Sequence, residues 1–371
     1  MADRSGALAL VISTVLSIFI AGHAAAAAHR TFVASTGNDA NPCSLTLPCR
    51  AFAAAVDAVA TDGEVVVIDS AGYGPVTIAK SVSIVAPPGV YSGVTTTDGN
   101  GVTVNGGAVN VALRGLTIAG AAFDAGFGIQ LVNGASIAVE NCKISNFNGA
   151  GIGFSASTAA VLHVSDTVIR SNRVGMIVQG LDVANPVYAT ISRSRIEDSN
   201  ISGIDISAAI VAIADSVLSG NQDNVLARGI ASGNTRVALD HTLISRGLCG
   251  LCLESFGDTG KVRVVIIDST ISGNFGYGVD AGYALAATGC TQEAIVTRTQ
   301  IIHNGGGVQV DGSNCATMVW LDGATVFENS GGPLTTEVTV ANNGKLYTRQ
   351  NNTIADINVT TGGTVVPWPA Q

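Results

Sequence analysis

Carboxylates and histidines are the side chains of this sequence that could carry acid–base chemistry, and few of them fall close together. The segment "VIIDSTISGNFGYGVDAG" (265–282) holds Asp268 and Asp280 among an asparagine and glycines that would let a ligand approach the backbone. A second pair, Asp240 and His241, stands in "VALDHTLIS". Hydrolysis of a glycosidic bond needs two carboxylates roughly 5–10 Å apart. The spacing that the fold imposes therefore decides whether these residues form a site.

An internal repeat of 22 to 31 residues sets that spacing. Its units share apolar residues at positions 1, 3 and 8 and a polar residue or glycine at position 5. The units are "VALRGLTI" (111–118), "IAVENCKI" (137–144), "LHVSDTVI" (162–169), "ATISRSRI" (189–196), "VAIADSVL" (211–218), "VALDHTLI" (237–244), "VVIIDSTI" (264–271), "IVTRTQII" (295–302), "MVWLDGAT" (318–325) and "YTRQNNTI" (347–354). Alternating apolar positions indicate a strand with one inward face, and the later shift in phase requires a bend near position 5.

A strand, a bend, a strand and a turn, repeated about ten times, predict an all-β fold, the parallel β-helix. A single coil cannot bury its inner face, so stacking of coils supplies the core. Coils about 4.8 Å apart would make a rod roughly 45 Å long. Leucine-rich repeats would need a denser leucine pattern, and a propeller would need a longer unit.

Polar residues recur at two places in the unit. At the predicted bend, short polar side chains can hydrogen-bond their own backbone; these residues are Asn141, Asp166, Asp215, Asp268 and Asp322. In the turn after the last apolar position, asparagines are expected to form a ladder along the stack; these are Asn172, Asn221, Asn274 and Asn329. Cys142 falls at a small inward position of the unit and is expected to be a buried free thiol.

The first residues carry an export signal. Arg4 precedes an apolar run over residues 8–20, and an alanine-rich stretch follows it. The run is too short to span a bilayer comfortably, so residues 1–28 are predicted to be a signal peptide cleaved near Ala28. We therefore expect a secreted or periplasmic protein.

The remainder, 29–371, is predicted to form a single β-helix domain. Its expected parts are an N-terminal cap and first strand (29–75), the coils (76–358) and a C-terminal tail (359–371). Phe52, Val56 and Val59 have a helical spacing. A helix there would cap the strand edges that the end of the rod leaves open.

Charge and composition limit the partners. The net charge of −9 argues against nucleic acid, whose phosphates demand a basic surface. No later stretch is apolar for long enough to form a membrane helix. The expected partner is a polysaccharide, and the expected state is a monomer. The sequence predicts no metal site and no cofactor; calcium binding between loops stays open but has no motif to support it.

Seven cysteines in an exported chain suggest disulfides with one thiol left over. Cys43 and Cys49 bracket the short loop "CSLTLPC", which a bridge would close. Cys290 and Cys315 precede strands of successive repeats, so they could be neighbours in space. Disulfides are predicted for both pairs. The "CGLC" formed by Cys249 and Cys252 could be a third disulfide or a redox pair.

After the turn comes a short second strand, such as "GIDI" (203–206) or "GVDA" (278–281), and its outward positions identify the face where a ligand could bind. Coil by coil they are Gln130, Gly153, Ile177, Asp205, Leu226, Cys252, Asp280 and Gln309. Asp205 and Asp280 would lie three coils apart, roughly 14 Å, which is too far for a catalytic pair. Asp280 with Tyr277 and Tyr283, and Asp205 farther along, could form a sugar-contacting surface, because tyrosine offers an apolar face and a hydroxyl.

The opening of the mature chain, "TFVASTGNDANPCSLTLPCRAFAAAVDAV", followed by "GPVTIAKSVSIVAPPGV", resembles secreted bacterial right-handed β-helix proteins of the pectin-lyase-like superfamily. The resemblance covers essentially the mature chain and implies the right-handed parallel β-helix. That superfamily includes polysaccharide lyases, glycoside hydrolases, epimerases, tailspikes and adhesins. Fold alone does not choose among these functions.

One segment is similar to a motif of pectate lyases. In "VALDHTLIS", Asp240 and His241 match the Asp-His of the "WiDHctfS" segment, although Ala238 replaces the tryptophan. The lyases also carry an Arg-x-Pro-x-x-Arg element that this sequence lacks. The Asp-Asp and Gly-His-Gly elements of polygalacturonases are absent too.

The sequence therefore predicts a carbohydrate-associated binding or surface structural module without an identifiable catalytic centre. The alternative is a polysaccharide lyase or glycoside hydrolase that acts on an acidic polysaccharide, with Asp240, His241 and Asp280 as candidate catalytic residues. An adhesin or autotransporter fragment is a third interpretation with less support.

Overall fold

The computed structural model describes residues 27–133, 135–181, 184–230, 233–256, 259–285, 289–330 and 336–369. Across these residues the chain winds through three parallel sheets, and each coil adds one strand to each sheet in turn. The predicted parallel β-helix is confirmed. The predicted signal peptide, residues 1–28, lies outside the described residues except for its last two positions.

The sheets are named in the order in which a coil visits them. The first sheet contains Ala28–Val33, Val59–Val67, Val82–Val85, Val109–Arg114, Ala135–Glu140, Ala160–Ser165, Val187–Ser192, Ala209–Ala214, Asn234–Asp240, Lys261–Ile267, Thr291–Thr297, Ala316–Asp322, Lys345–Thr348 and Thr364–Pro367. The second contains Ala71–Gly72, Ser92–Thr96, Leu116–Gly120, Lys143–Ser145, Val168–Arg170, Arg195–Glu197, Val217–Ser219, Leu243–Ser245, Thr270–Ser272, Gln300–Ile302, Thr325–Phe327 and Thr353–Ile354. The third contains Val76–Ile78, Val102–Val104, Phe127–Leu131, Ala150–Ala156, Val174–Gly180, Ser202–Ser207, Asp223–Ile230, Cys249–Phe256, Tyr277–Leu285, Gly306–Asp311, Val338–Ala341 and Ile357–Val359.

The ten repeat units correspond to ten successive coils, and residues 59–104 form two further coils ahead of them. Burial follows the two-residue period of a strand. In the strand Asn234–Asp240, Val237 and Leu239 are buried, whereas Ala238 and Asp240 are exposed. Stacked rows of such inward side chains make one core along the rod, which is how coils that are unstable alone become stable together.

The bend between the first and second sheets is a single residue with positive φ. Most of the residues predicted to stand there do so, with φ of 52° at Asn141, 51° at Asp166, 50° at Asp215 and 48° at Asp268. The prediction is wrong for Asp322, which ends its strand, while Gly323 turns the chain with φ of 62°. Through Ala294 the strand register aligns Val319 with Val264, so the unit "MVWLDGAT" begins one residue early. The unit "IVTRTQII" begins one residue late, because its positive-φ bend residue is Arg298.

An asparagine ladder runs through the turn between the second and third sheets. The main-chain N–H and the Nδ2 of Asn304 both donate to Oδ1 of Asn329, at 3.0 and 2.9 Å. Asn274 donates to Asn304 in the same way. The ladder contains Asn172, Asn221, Asn274, Asn304 and Asn329, with Ser199 and Gly247 at the two interrupted coils. The predicted ladder is therefore present, with Asn304 as an additional member.

Three disulfides join Cys43 to Cys49, Cys249 to Cys252 and Cys290 to Cys315. The first closes the loop beside the N-terminal strand. The third links two successive coils where their loops meet the first sheet. Cys142 is a buried free thiol.

A helix, Phe52–Ala58, packs on the N-terminal end of the rod with Phe52 and Val56 buried. The Phe52 ring lies 5.2 Å from the Tyr73 ring of the first coil, measured between centroids. The predicted capping helix is present, but Val59 begins the next strand instead of extending the helix. Across the described residues, no helix is long and apolar enough to cross a membrane.

The first and the last strands of the described residues also belong to the first sheet. Ala28–Val33 pairs with Val59–Val67 in parallel, next to the cap. In the segment predicted as a tail, Thr364–Pro367 pairs with Lys345–Thr348. The ordered β-structure therefore continues beyond the boundary expected from the repeat.

Candidate functional site

The outer face of the third sheet carries the side chains most suited to chemistry. Its strands stack in register, so Asp205 lies opposite Leu226, Leu226 opposite Cys252, and Cys252 opposite Asp280. Asp280 lies in turn opposite Gln309. The row of outward residues identified in the sequence is therefore a continuous line along the rod.

Four successive coils each contribute one acidic side chain to this face. They are Asp205, Asp223, Glu254 and Asp280, here called the carboxylate cluster. Each is only partly exposed, and neighbours such as Val225 and Ala227 point the other way into the core. Strand alternation turns Asp205, Glu254 and Asp280 outward, and Asp223 stands at the first position of its strand.

The surface beneath the cluster is apolar and almost inaccessible to solvent. Leu226 faces outward but is only 1% exposed, and the disulfide partners Cys249 and Cys252 beside it are 8% and 7% exposed. A carboxylate oxygen of Asp223 lies within 4.8 Å of both sulfur atoms. This surface replaces water around the carboxylates, and loss of water disfavours their charged form.

Arg228 is the cation of the cluster. Its Nη1 donates to Oδ2 of Asp205 at 2.7 Å, and its Nε lies 3.4 Å from Oε2 of Glu254. Its guanidinium also packs over the Phe256 ring, 5.6 Å from the centroid. One arginine therefore serves two of the four acids.

Burial shifts the acids toward their protonated form. Burial, with the charges of Glu254, Asp311 and Asp223 as smaller causes, raises the pKa of Asp280 to about 6. Burial, with Glu254 as the next cause, raises the pKa of Asp223 to about 6. The pKa of Asp205 is also about 6, because burial outweighs the opposing charge of Arg228.

Glu254 and Asp280 differ in what stabilises their charge. Burial raises the pKa of Glu254, but the charge and hydrogen bond of Arg228 oppose that shift. The carboxyl group of Asp280 has no hydrogen bond or ion pair in the described structure. Because Asp280 lies opposite Cys252 and Glu254 is two residues further on, strand geometry separates them by about 8 Å. A charged carboxylate and a protonated carboxyl can therefore coexist here near pH 6.

Aromatic side chains border the cluster. Tyr277 is half-buried and Tyr283 is 52% exposed, on the same strand as Asp280. A bulge at Gly282, with φ of 138°, shifts the register and sets Tyr283 opposite Glu254. Bulges commonly re-aim side chains beside functional sites. Phe275, in the preceding turn, is 64% exposed.

The structure separates the residues that the sequence selected. Tyr277, Asp280, Tyr283 and Asp205 share the outer face of the third sheet, with Asp205 and Asp280 three coils apart as expected. The catalytic role suggested for Asp280 stays a prediction. The other two catalytic candidates from the sequence, Asp240 and His241, lie outside this face.

Asp240 and His241 lie at the bend between the first and second sheets, where His241 is the positive-φ residue at 45°. They are exposed and hydrogen-bonded to each other at 2.8 Å. Their neighbours on the next coil are Asp268 and its partner Arg298, a pair with an N–O distance of 2.7 Å. Asp240 and His241 therefore occupy positions that the repeated bend explains without a catalytic role.

Sequence reasoning missed Asp223, Glu254 and Arg228. The sequence analysis followed a single outward row, and these three residues belong to the rows on either side of it. Reading every outward position of the third-sheet strands would have found them, since Arg228 and Glu254 are in register.

Two groups of side chains in the described structure could hold a metal ion: Asp223 with Cys249 and Cys252, and Asp240 with His241 and Asp268. In the first group the sulfur atoms are joined in a disulfide. In the second, Asp268 is engaged by Arg298. The sequence-based expectation of no cofactor stays untested.

Residues 67–209 match the family described as "Right handed beta helix region". Pectate lyase Pel9A has a similar solved structure, 17% identical, with a TM-score of 0.54 over 83% of this chain and 78% of that chain. Tailspike protein 2 from Escherichia coli O157:H7 bacteriophage CAB120 is 9% identical, with a TM-score of 0.48 over 82% and 43%. The GH136 lacto-N-biosidase from Eubacterium ramulus is 10% identical, with a TM-score of 0.47 over 92% and 68%. No curated protein sequence matches the chain. At these identities the similarity establishes the fold alone, the right-handed parallel β-helix.

Proposed function

We propose that the protein is a glycoside hydrolase that cleaves a neutral polysaccharide on the outer face of its third sheet. Asp280 is the general acid and Glu254 the general base. The observation that carries the proposal is the contrast between these two carboxyls, because Arg228 supports the charge of Glu254 and no cation supports that of Asp280.

The separation of the two residues indicates the stereochemical course. Inverting glycosidases place their two carboxyl groups about 6.5–9.5 Å apart, with room for a water molecule between them and the sugar. Asp280 would protonate the glycosidic oxygen as the bond to the anomeric carbon breaks. Glu254 would take a proton from the water that attacks that carbon, and the product would have inverted configuration.

Charge favours a neutral substrate over the acidic polysaccharide expected from the sequence. The cluster has four carboxylates and one guanidinium, so a polyuronate would meet net repulsion in a poorly hydrated environment. Exposed Phe275 and Tyr283 provide apolar faces for sugar rings. The similarity in fold to a pectate lyase supports association with a carbohydrate and leaves the reaction open.

The disulfides support action outside the cytoplasm. Three pairs are joined in the structure, and such bridges persist in secreted and periplasmic proteins. A location outside the cytoplasm agrees with a polysaccharide as the substrate.

The test is turnover of a polysaccharide panel by the mature chain and three variants. Neutral and uronic-acid polysaccharides are incubated with the protein, and new reducing ends and unsaturated products at about 235 nm are measured. Asp280→Asn and Glu254→Gln each remove one proposed role, and general acid–base groups typically contribute about 10²–10⁴-fold. Asp240→Asn is the matched control, because it neutralises an exposed aspartate away from the cluster.

Loss of reducing-end production in the first two variants, with Asp240→Asn unaffected, supports the proposal. Wild-type activity should fall on the alkaline side with an apparent pKa near 6, when Asp280 loses its proton. Unsaturated products, or loss of activity only in Asp240→Asn, would overturn it in favour of a lyase. Binding without turnover would identify a glycan-binding module instead.

A further inference from the structure

A group of cations lies on the outer face of the first sheet, away from the carboxylate cluster. Arg236 and Arg263 are in register on adjacent coils, and Lys261 precedes Arg263 by two residues on the same face. All three side chains are exposed. They are called the basic patch below.

This arrangement is unfavourable without an anion. Side chains that lie directly opposite on neighbouring strands interact, and like charges there are destabilising. In the described structure the side chains of Arg236 and Lys261 have no hydrogen bond or ion pair. Arg263 has a single carboxylate partner, Glu293, with an N–O distance of 3.6 Å.

Other arginines of this acidic protein are placed differently. Arg114 lies beside Glu140 at 2.8 Å, and Arg298 bonds both oxygens of Asp268 at 2.8 and 2.7 Å. Each of these cations faces a carboxylate on the neighbouring coil. The basic patch is therefore a local excess of positive charge in a chain whose net charge is −9.

The patch borders space that a ligand can occupy. A cavity of about 220 Å³ is lined by the three cations together with Asn234, Thr291 and Glu293. A second cavity of about 210 Å³ shares Asn234 and Arg236 with the first and continues past Val187 and Ile210. The two cavities follow successive coils, which suits an extended polymer more than a single small ion.

We propose that the basic patch binds an acidic polysaccharide through the carboxylate or sulfate groups on its sugars. Arginine recognises such anions with two parallel hydrogen bonds, and the two guanidinium groups start from strands about 4.8 Å apart. Asn234 and Thr291 supply polar groups for sugar hydroxyls. Binding to an anionic membrane is the alternative that the vesicle measurement below distinguishes.

The site is independent of the proposed hydrolase site. The basic patch is on the first sheet and the carboxylate cluster is on the third, so one face could hold the protein on an acidic matrix while the other acts on a neutral glycan. Binding can be measured without turnover, so failure of either proposal leaves the other standing.

The test measures binding of the mature chain to polygalacturonate, dextran sulfate, uncharged dextran and vesicles containing anionic lipid by titration calorimetry at about 0.15 M salt. The variant Arg236→Gln/Arg263→Gln removes the two opposed guanidinium groups. The variant Arg193→Gln/Arg298→Gln is the matched control, because it removes the same charge from two arginines that already have aspartate partners. Circular dichroism verifies that both variants keep the β-helix.

Binding to at least one of the two acidic polymers, with an affinity reduced tenfold or more in Arg236→Gln/Arg263→Gln and unchanged in the control, is the expected result. A preference between polygalacturonate and dextran sulfate identifies carboxylate or sulfate as the recognised group. Equal losses in both variants would show general charge attraction and overturn the site. Absence of binding to both acidic polymers, or binding only to vesicles containing anionic lipid, would overturn it as well.

Discussion

Asn224 occupies the space that Gly247 leaves in the asparagine ladder. A Cβ atom on Gly247 would lie 2.5 Å from Nδ2 of Asn224. That Nδ2 donates to Oδ1 of Asn274 at 3.0 Å, while Oδ1 of Asn224 accepts from Asn221 at 2.9 Å. Equivalent third-sheet positions on other coils are glycine, such as Gly250. At the coil that has Gly247, the side chain of Asn224 from the third sheet therefore connects Asn221 to Asn274 and keeps the ladder continuous.

This relationship predicts coupling between the two positions. Asn224→Gly should lower the free energy of unfolding by about 1–3 kcal/mol, because the buried amide groups of Asn221 and Asn274 each lose a hydrogen bond. Gly247→Asn should also destabilise, since its side chain would overlap Asn224.

The double variant should be less destabilised than the sum of the singles, with a coupling of about 1–2 kcal/mol from denaturant unfolding. Recovery should be partial, because a Cβ at Gly247 would also lie 2.7 Å from the carbonyl oxygen of Asn221. Additive losses would contradict the idea that Asn224 replaces the missing side chain.

Ser199 marks the other interruption of the ladder. Nδ2 of Asn172 and Oγ of Ser199 are both buried without hydrogen-bond partners, since serine is too short to reach across. Space for a longer side chain exists, because Gly175 faces Ser199 as Gly278 faces Asn304. Ser199→Asn should raise the free energy of unfolding by about 1 kcal/mol. Ser199→Ala is the control and should change stability little; stabilisation by alanine equal to that by asparagine would argue against a new ladder contact.

The carboxylate cluster predicts an unusual dependence of stability on pH. Asp205, Asp223 and Asp280 have pKa values of about 6 in the folded chain, above their ordinary value of 3.8. The folded state therefore binds more protons than the unfolded state between these limits. The destabilisation caused by ionisation is complete above pH 6 and disappears toward pH 4, so stability should rise as the pH falls from 7 to 5. Each differentially bound proton contributes a slope of about 1.4 kcal/mol per pH unit.

Asp280→Asn should flatten that slope, as measured by denaturant midpoints at pH 5, 6 and 7. Asp166→Asn is the control, because its arginine partner lowers the pKa of Asp166 and moves its titration below this window. If stability instead fell between pH 7 and 5 in the wild type, the cluster would not be as poorly hydrated as the structure shows.

Cysteine chemistry gives a count that can be measured directly. Burial raises the pKa of Cys142 to about 11, and its side chain is 1% exposed. The native protein should therefore not react with Ellman's reagent, since the thiolate is the reactive form. Denaturation without a reductant should release one reactive thiol per chain. Peptide mapping should show Cys43 linked to Cys49, and a larger thiol count would mean that a disulfide is missing.

The sequence was sufficient for the fold because the repeat leaves little freedom. Inward positions such as Val237 and Leu239 recur with a two-residue period, and each coil must match its neighbour to be buried. The register errors, at Asp322 and at Arg298, are offsets of a single residue that leave the fold unchanged. The asparagines of the repeat were enough to predict the ladder. The role of Asn224, whose side chain fills the space beside Gly247, depends on a contact between coils that the repeat does not reveal.

The candidate site was only partly predictable for a different reason. Asp280 is recognisable as an outward acid, but its pKa depends on Leu226, on the disulfide below it and on the acids of other coils. Those contacts join residues more than 25 positions apart in sequence, so no local motif records them. The basic patch likewise becomes apparent only when Arg236 and Arg263 are placed in register.

The bulge at Gly282 gives a last prediction that connects backbone geometry to the proposed activity. A Cβ atom on Gly282 would lie 2.3 Å from the carbonyl oxygen of Asp311, and its φ of 138° is unfavourable for any side chain. Gly282→Ala should therefore shift the strand and move Tyr283, lowering stability by about 2 kcal/mol or more and reducing turnover. Gly273→Ala is the control: its φ is also positive, at 65°, but nothing lies within 4 Å of the added atom. It should destabilise by about 1 kcal/mol and leave turnover unchanged. Equal effects of the two substitutions on turnover would show that the bulge does not position Tyr283 for the reaction.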